Sequence, residues 1–280
     1  MARRKDPEER FERFTKRIRR PRGGRSVARL TVSPQEAAGI DEPPAFKDPG
    51  LQELHERGYV DELLQQLKSG KEATVYLGRG PRGLVAVKIY TDLLMRSFKN
   101  EAMYRGGRHI GDQRLQKAID QRSRIGMSAQ QLLWIEEEHR QLCALHAAGV
   151  PVPAPMGQAG RVIVMEFIGD EKGPAPRLSD LRLTEEDALE AFEQSVRNLG
   201  LILRTGRVHG DYSGYNILWC KRRAIVIDLP QVVEIESNPN ASGLLWRDVG
   251  ALCGTFSRFG IDADPDRVLG RVRFIAAAGT

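Results

Sequence analysis

The sequence predicts a two-lobed α+β fold, with a small strand-rich half over about residues 51–168 and a reduced helical half over about 169–280. Three observations lead there. The strand-like runs at 73–77, 84–90 and 161–167 all fall in the first half. Helical periods dominate the second half, at 184–205, 240–259 and 264–277. Between those helices lies one hairpin, and its open end carries Asp211, Asn216 and Asp228.

Bulk properties set the frame. A chain of 280 residues, 41% hydrophobic and 29% charged, has ample core for one large domain or two small lobes. No run of 18 apolar residues occurs, so no membrane span is expected. With a charged start, no secretory signal is expected. Cys143, Cys220 and Cys253 lie far apart, and the histidines have no ligand spacing. Neither a disulfide framework nor a structural zinc is expected, which fits a reducing cytoplasm. Residues 1–30 hold 12 Lys/Arg against 4 Asp/Glu, so the basicity belongs to a tail. Such a tail can engage RNA, DNA or another anionic surface by counterion release, or remain a solvated arm.

Along the chain, Asp6-Pro7 opens a helix with Phe11, Phe14 and Ile18 on one stripe. Residues 21–50 read as a linker, and the folded domain is expected from about Leu51. One or two short helices are expected over 51–67. The strands at 73–77 and 84–90 are joined by Gly80-Pro81-Arg82-Gly83. Period two puts Ala86 and Lys88 on one face and Val85, Val87 and Ile89 on the other. A lysine there, one hairpin after Ser69-Gly70-Lys71, can reach phosphate while Ala86 leaves room for a flat base. Residues 91–127, with Arg105-Gly106-Gly107-Arg108 at their centre, read as an irregular insertion. Ser128 and Gln131 mark a capping box for a helix to about Ala147. Of its three glutamates, Glu136, Glu137 and Glu138, any one can turn inward to pair with Lys88. Pro151, Pro153 and Pro155 space out an extended link, and the strand at 161–167 runs into a hinge closed by Gly169. Thr184 with Asp187 opens the next helix, and Gly206 stops it.

The chemistry concentrates at VHGDYSGYNILWCKRRAIVIDLPQV. Asp211 and Asn216 precede the hairpin and Asp228 follows it, so all three meet at one end. Two carboxylates and an amide can hold a hard divalent cation through oxygen and leave one carboxylate as a base. The spacing H-x-D-x-x-x-x-N followed by a post-strand Asp is the layout of a kinase catalytic loop and metal site. Gly70-Lys71-Glu72 is not a Walker A loop, and the turn lacks the three glycines of the usual kinase loop.

With these pieces placed, the chain resembles the RIO family of atypical serine/threonine protein kinases and ATPases. SGKEATVY is similar to that family's phosphate loop, LVAVKIY to its lysine strand and WIEEEHRQLCALHAAGVPVPAP to its Glu-bearing helix. VMEFIGDEKGPAPRL looks like its hinge, HGDYSGYNILW and IVIDLPQ like its catalytic loop and metal site, and LLWRDV like the helix behind them. The resemblance implies a protein-kinase-like fold of RIO type with ATP and Mg²⁺, or Mn²⁺ in its place, between the lobes. Ser69, Gly70 and Lys71 would hold phosphate, Lys88 the α/β-phosphates and Glu138 the lysine. The backbone of Glu166 and Ile168 would hold adenine. Asp211 would be the catalytic Asp, Asn216 and Asp228 the metal ligands, and Asp248 a structural brace. Asp228 would also be the acceptor in the family's ATP hydrolysis. Gly210 and Tyr212 depart from the family's more usual Ala and Leu, and DLPQ from Asp-Val-Ser-Gln.

Only 52 residues follow Asp228, room for about two helices and none for the usual peptide-docking segment. The resemblance implies phosphorylation of Ser/Thr on a protein substrate or on the chain itself, or transient phosphorylation of Asp228 followed by hydrolysis. The family's work in small ribosomal subunit maturation makes a ribosomal subunit or RNA the expected partner of the basic tail. Two other readings stand beside this one: a small-molecule phosphotransferase of the aminoglycoside or choline type, and a nucleotide-dependent binding scaffold.

Overall fold

The computed structural model describes residues 27–37, 44–91, 121, 123–170 and 172–278. The tail helix at residues 6–18 and the Arg105–Arg108 centre of the insertion lie outside the described residues.

A five-stranded antiparallel sheet, in the order β1-β2-β3-β5-β4, forms the small lobe. It comprises β1 (Glu62–Ser69), β2 (Ala73–Gly80), β3 (Gly83–Tyr90), β4 (Pro155–Ala159) and β5 (Val162–Glu166). The β2–β3 hairpin runs in unbroken register from Ala73↔Tyr90 to Gly80↔Gly83, and Gly83 takes the left-handed φ of 117° that closes it. Alternation divides β3 as expected. Val85, Val87 and Ile89 pack with Val162, Val164 and Leu54 of helix α1 (Pro49–Glu56), whereas Ala86 and Lys88 face the opposite side. There Ile163 meets Ile135 of α2 (Arg124–Ala147).

Three sequence expectations change here. Residues 62–69 form a strand, although 62–67 were expected as helix. ELLQQLKS has strong helix formers, but pairing with β2 from Glu62↔Arg79 to Ser69↔Thr74 satisfies its backbone and overrides that preference. Two register shifts in this pairing blur the alternation that would have announced a strand. Helix α2 starts at Arg124, not Ser128, because the Ser123 hydroxyl caps it by accepting the Gly126 N–H at 3.1 Å. Residues 44–50, expected as linker, are folded onto the lobe. Phe46 is buried in its core, and Asp48 caps α1 while accepting from Arg161 Nε at 2.7 Å. The link after α2 supplies β4, with Pro155 at the first strand position, where no donor is required.

The large lobe is built from α3 (Glu185–Arg204), α4 (Ala241–Ser257) and α5 (Pro265–Ala277) around a core that includes Val196, Leu199, Ile217, Val226, Leu252 and Phe256. Short pairs complete the strands: β6 (Gly169–Asp170) with β7 (Gly173–Pro174), and β8 (Arg207–Val208) with β11 (Val233–Glu234). The hairpin of β9 (Ile217–Cys220) and β10 (Arg223–Val226) turns at Lys221 and Arg222, φ 49° and 58°, the left-handed pair that a two-residue hairpin turn requires. Arg222 holds that strained turn by binding Glu186, Asp187 and Glu190 on α3. Asn198 and Gln194 of α3 bond the carbonyl and amide of Ala224, so the helix backs the hairpin directly. Arg140 of α2 reaches Glu234 at 2.9 Å and ties that helix to the large lobe. No helix among the described residues is long and apolar enough to cross a membrane.

Candidate active site between the lobes

The floor of the cleft is the loop from His209 to Asn216. Asp248 of α4, 1% exposed, accepts the amides of Gly210 at 2.8 Å and Tyr212 at 2.9 Å. Burial pushes this carboxyl up to about 6 despite those two hydrogen bonds. Arg247 bonds the Gly210 carbonyl from the other side. Tyr212 is buried and donates its hydroxyl to Ser195 O at 2.9 Å. Gly214 lies so close to α4 that a Cβ there would meet Thr255 Cγ2 at 2.6 Å, and its amide donates to Thr255 Oγ1 at 3.0 Å. His209 is buried, which lowers its pKa to about 4 and keeps the ring neutral; its Nδ1 accepts the Asp211 amide at 3.3 Å.

On this base Asp211 stays exposed. Asn216 Nδ2 donates to both the carbonyl and Oδ2 of Asp211, each at 2.9 Å. Partial burial raises the Asp211 pKa; the Asn216 bond opposes that and the Asp228 charge adds to it. The Ile227 amide donates to Asn216 O at 2.9 Å, which sets the end of the hairpin beside the loop. Asp228 then turns at φ 67°, a left-handed conformation uncommon for a residue with a side chain and tolerated by Asp.

The roof is the Ala86–Lys88 face of β3. Lys88 Nζ contacts Glu138 Oε1 at 2.6 Å and Asp228 Oδ1 at 3.0 Å, bridging sheet, helix and large lobe. Burial works against the ammonium, but the two carboxylates outweigh it and the Lys88 pKa is raised. Burial would raise Asp228 as well; the Lys88 charge and hydrogen bond outweigh that and hold the carboxyl below its ordinary value. Among the three candidate glutamates, Glu138 is the one that faces inward. Glu137 binds Arg140 and Gln141, and Glu136 is exposed.

Between roof and floor lies a cavity of about 650 Å³. Ala86, Ile163, Met165, Leu218 and Ile227 give it apolar walls that suit a flat ring. Glu166 and Ile168 also line it, and there Ile168 O accepts the Ala175 amide at 2.9 Å and Glu166 Oε2 accepts that of Ala154 at 3.0 Å. Gly70 and Lys71 line the cavity; Ser69 does not, its hydroxyl lying 3.4 Å from Thr74 Oγ1. Thus Gly70, Lys71, Lys88, Glu138, Glu166, Ile168 and Asp228 line one space; Asp211 and Asn216, bonded to each other in the neighbouring loop, are not among its lining residues. Lys68 and Arg177 also line the cavity and escaped the sequence reading. Lys68 directly follows the stretch 51–67 read as helix and was given no role, and Arg177 lay in a segment read only as hinge.

For a divalent cation, the candidate donors are the oxygens of Asp228 and Asn216. Asn216 Nδ2 is committed to Asp211, which leaves the amide oxygen as the ligand atom. No group of three His, Cys, Asp or Glu among the described residues forms a self-sufficient metal cage. A carboxylate and an amide oxygen, completed by water and phosphate oxygens, fit Mg²⁺, which keeps several such ligands.

A sequence model of the RIO domain matches residues 74–268. The chain is 34% identical over 232 residues to the serine/threonine-protein kinase RIO1 of Chaetomium thermophilum, covering 76% of this chain and 43% of that protein. It is 34% identical over 158 residues to the RIO-type serine/threonine-protein kinase Rio1 of Thermoplasma acidophilum, 56% of this chain and 79% of that one. With the corresponding Haloferax volcanii protein it shares 33% over 219 residues, 77% and 70% of the two chains. It therefore spans less than half the length of the fungal relative and most of the archaeal ones. The fold is similar to the crystal structure of the Rio2 kinase–ADP/Mg²⁺–phosphoaspartate complex from Chaetomium thermophilum, with a TM-score of 0.59 and 21% identity over 82% of this chain and 69% of that one.

Proposed function

The chain belongs to the RIO domain family, and from that premise we propose that it binds Mg²⁺-ATP in the cleft and transfers the γ-phosphoryl group. The acceptor is a Ser/Thr hydroxyl, on a protein substrate or on the chain itself, or transiently the Asp228 carboxylate. The observation that carries this reading is the Lys88 ammonium held between Glu138 and Asp228, with Asp228 joined to the Asp211–Asn216 loop through the preceding Ile227 amide on Asn216 O. Phosphoryl transfer needs little more than positioning and charge stabilisation, and these groups supply both.

In this mechanism Lys88 offsets the charge of the α/β-phosphates, and Glu138 fixes its position. The backbone of Glu166 and Ile168 holds the adenine against the apolar walls. Asp228 and Asn216 would hold the metal ion, which would neutralise charge on the phosphate oxygens. Asp211, fixed by Asn216, orients the acceptor hydroxyl and takes its proton as the phosphorus–oxygen bond forms and the bond to ADP breaks. Where Asp228 is the acceptor, its carboxylate oxygen bonds the γ-phosphorus, ADP departs, and water then hydrolyses the acyl phosphate to inorganic phosphate and free Asp228. Its lowered pKa keeps Asp228 ionised for either role at neutral pH.

The relatives named as serine/threonine-protein kinases support the first acceptor, and the phosphoaspartate in the Rio2 complex supports the second. The basic residues 1–30 support an RNA-containing partner such as a small ribosomal subunit in maturation, and the unpaired cysteines a reducing cytoplasm. The test is incubation of the protein with Mg²⁺ and γ-labelled ATP, followed by hydroxylamine. Labile label that vanishes in Asp228→Asn identifies the aspartyl phosphate. Stable label that depends on Asp211 identifies Ser/Thr transfer. Neither label nor phosphate release would overturn both and leave a binding scaffold.

A further inference from the structure

Arg177 and Lys68 line the cleft from opposite lobes, and the reading above gives neither a task. Lys68 lies on β1, one residue from the end of the strand that enters the Gly70 turn. Arg177 sits below, where its backbone bridges to Leu218 of β9 on the cavity floor. Trp219 N also donates to Pro176 O at 2.9 Å, so the segment carrying Arg177 is fixed to the hairpin. Among the described residues neither cation makes a hydrogen bond or ion pair within the chain, although Arg177 is half-buried. A half-buried guanidinium with no acceptor loses hydration without compensation, which is costly unless a ligand supplies the anion. The two cations also oppose each other. Burial and the Arg177 charge lower the Lys68 pKa, while Asp228 pulls it the other way. Their fields meet at the cleft end that holds Asp228 and Lys88.

We propose that Lys68 and Arg177 form a two-sided cation clamp for the phosphate chain of the bound nucleotide, set across the cleft outside Lys88. The inference rests on the nucleotide reading above and adds to it a determinant of phosphate number. Lys88 is occupied by Glu138 and Asp228, so it is one cation facing two carboxylates within the protein. A triphosphate entering beside Asp228 brings further negative charge, and among the described residues Lys68 and Arg177 line the cavity without an ion pair of their own, only the charges of Asp228 and Asp180 reaching Lys68 at longer range. Charge-assisted hydrogen bonds to phosphate oxygen are among the stronger polar contacts, and a guanidinium can make two at once. The clamp makes affinity rise with phosphate number, from adenosine through ADP to ATP. It also joins the two lobes through the ligand instead of through direct protein contact.

The experiment is calorimetric titration of the full chain with ATP, ADP and adenosine in the presence of Mg²⁺, for wild type, Lys68→Met, Arg177→Met and the double variant. The methionines keep the length of the stems and remove the charges. Each single variant is expected to weaken ATP about tenfold, ADP less, and adenosine less than twofold. The double variant is expected to flatten the dependence of ATP affinity on salt. Retained adenosine binding certifies that each variant is folded. Equal losses for ATP and adenosine, or no loss for either, overturn the clamp while leaving the nucleotide site in place. Unchanged ATP affinity with slower transfer to protein hydroxyls also overturns it, by assigning the cations to the acceptor. If wild type itself binds none of the three, the failure lies in the proposed function.

Discussion

Asp248 on the floor and Lys88 in the roof are both buried charged groups, at 1% and 9% exposure, yet they are held by opposite means. Asp248 is solvated by two backbone amides of the loop it braces, and burial still lifts its pKa to about 6. Lys88 is held by two carboxylates, and its charged form is favoured over that of a free lysine. The floor is a scaffold of dipoles that fixes a loop shape. The roof is an ion bridge whose partner Asp228 remains 43% exposed to whatever enters the cleft. Changes in the floor should therefore register in stability and changes in the roof in ligand response, with Asp211 the exposed tip where the scaffold becomes chemistry.

The sharpest way to break that division is Asp211→Ala. We expect transfer to protein hydroxyls to fall by about 10²–10⁴, with little change in melting temperature, because Asp211 is exposed and its main internal partner is Asn216. A large loss of stability would show that the tip belongs to the scaffold. Asp248→Ala should do the reverse, leaving two buried amides unpaired at about 1–3 kcal/mol each. A drop of several degrees in the thermal midpoint is expected. An unchanged midpoint would mean that Arg247 and Thr255 brace the loop without it. In the roof, Glu138→Gln removes one of the two charges on Lys88. Loss of a charge-assisted bond predicts a roughly 10–100-fold fall in transfer. Glu137→Gln, one residue away, should change stability by less than about 1 kcal/mol, since its partner Arg140 is largely exposed and keeps Glu234. Equal kinetic effects from the two glutamines would contradict the inward facing of Glu138 alone.

The same division explains what the sequence could disclose. The floor was legible because its parts are local: the loop and the hairpin span residues 209–228, and each turn has its own residue signals. The period-two reading of Ala86 and Lys88 held for a similar reason, since β3 has one apolar face and one open face. The choice among Glu136, Glu137 and Glu138 was not legible, because consecutive helix positions differ by about 100° and only packing selects which faces β3. Strand β1 was missed because ELLQQLKS prefers helix in isolation and is a strand through its pairing with β2. With β1 misread, Lys68 had no place in the cleft. Phe46 was missed as the start of the folded lobe because one aromatic among prolines and polar residues carries no period. Asp248 came from the resemblance; a lone Asp in WRDVG declares no partner 36 and 38 residues upstream.

The smallest expected effect tests the electrostatic half of the comparison. Asp248 has a folded pKa of about 6 against an ordinary 3.8, so the folded state binds its proton more readily than the unfolded chain. Its contribution to stability is fully present below about pH 3.8 and is lost as pH rises through about 6. Asp228 works with the opposite sign. Its depressed pKa contributes stability above its ordinary value and loses it as pH falls, so a wild-type profile alone would mix the two. Asp248→Asn removes one term and leaves the other. The difference in unfolding free energy, wild type minus Asp248→Asn, should grow by on the order of 1 kcal/mol between pH 7.5 and pH 5. Chemical denaturation at the two pH values measures it. A difference that is flat, or that grows toward high pH, would mean that the two amides overcome burial. Asp248 would then be held as an anion, and floor and roof would be stabilised by the same kind of charge after all.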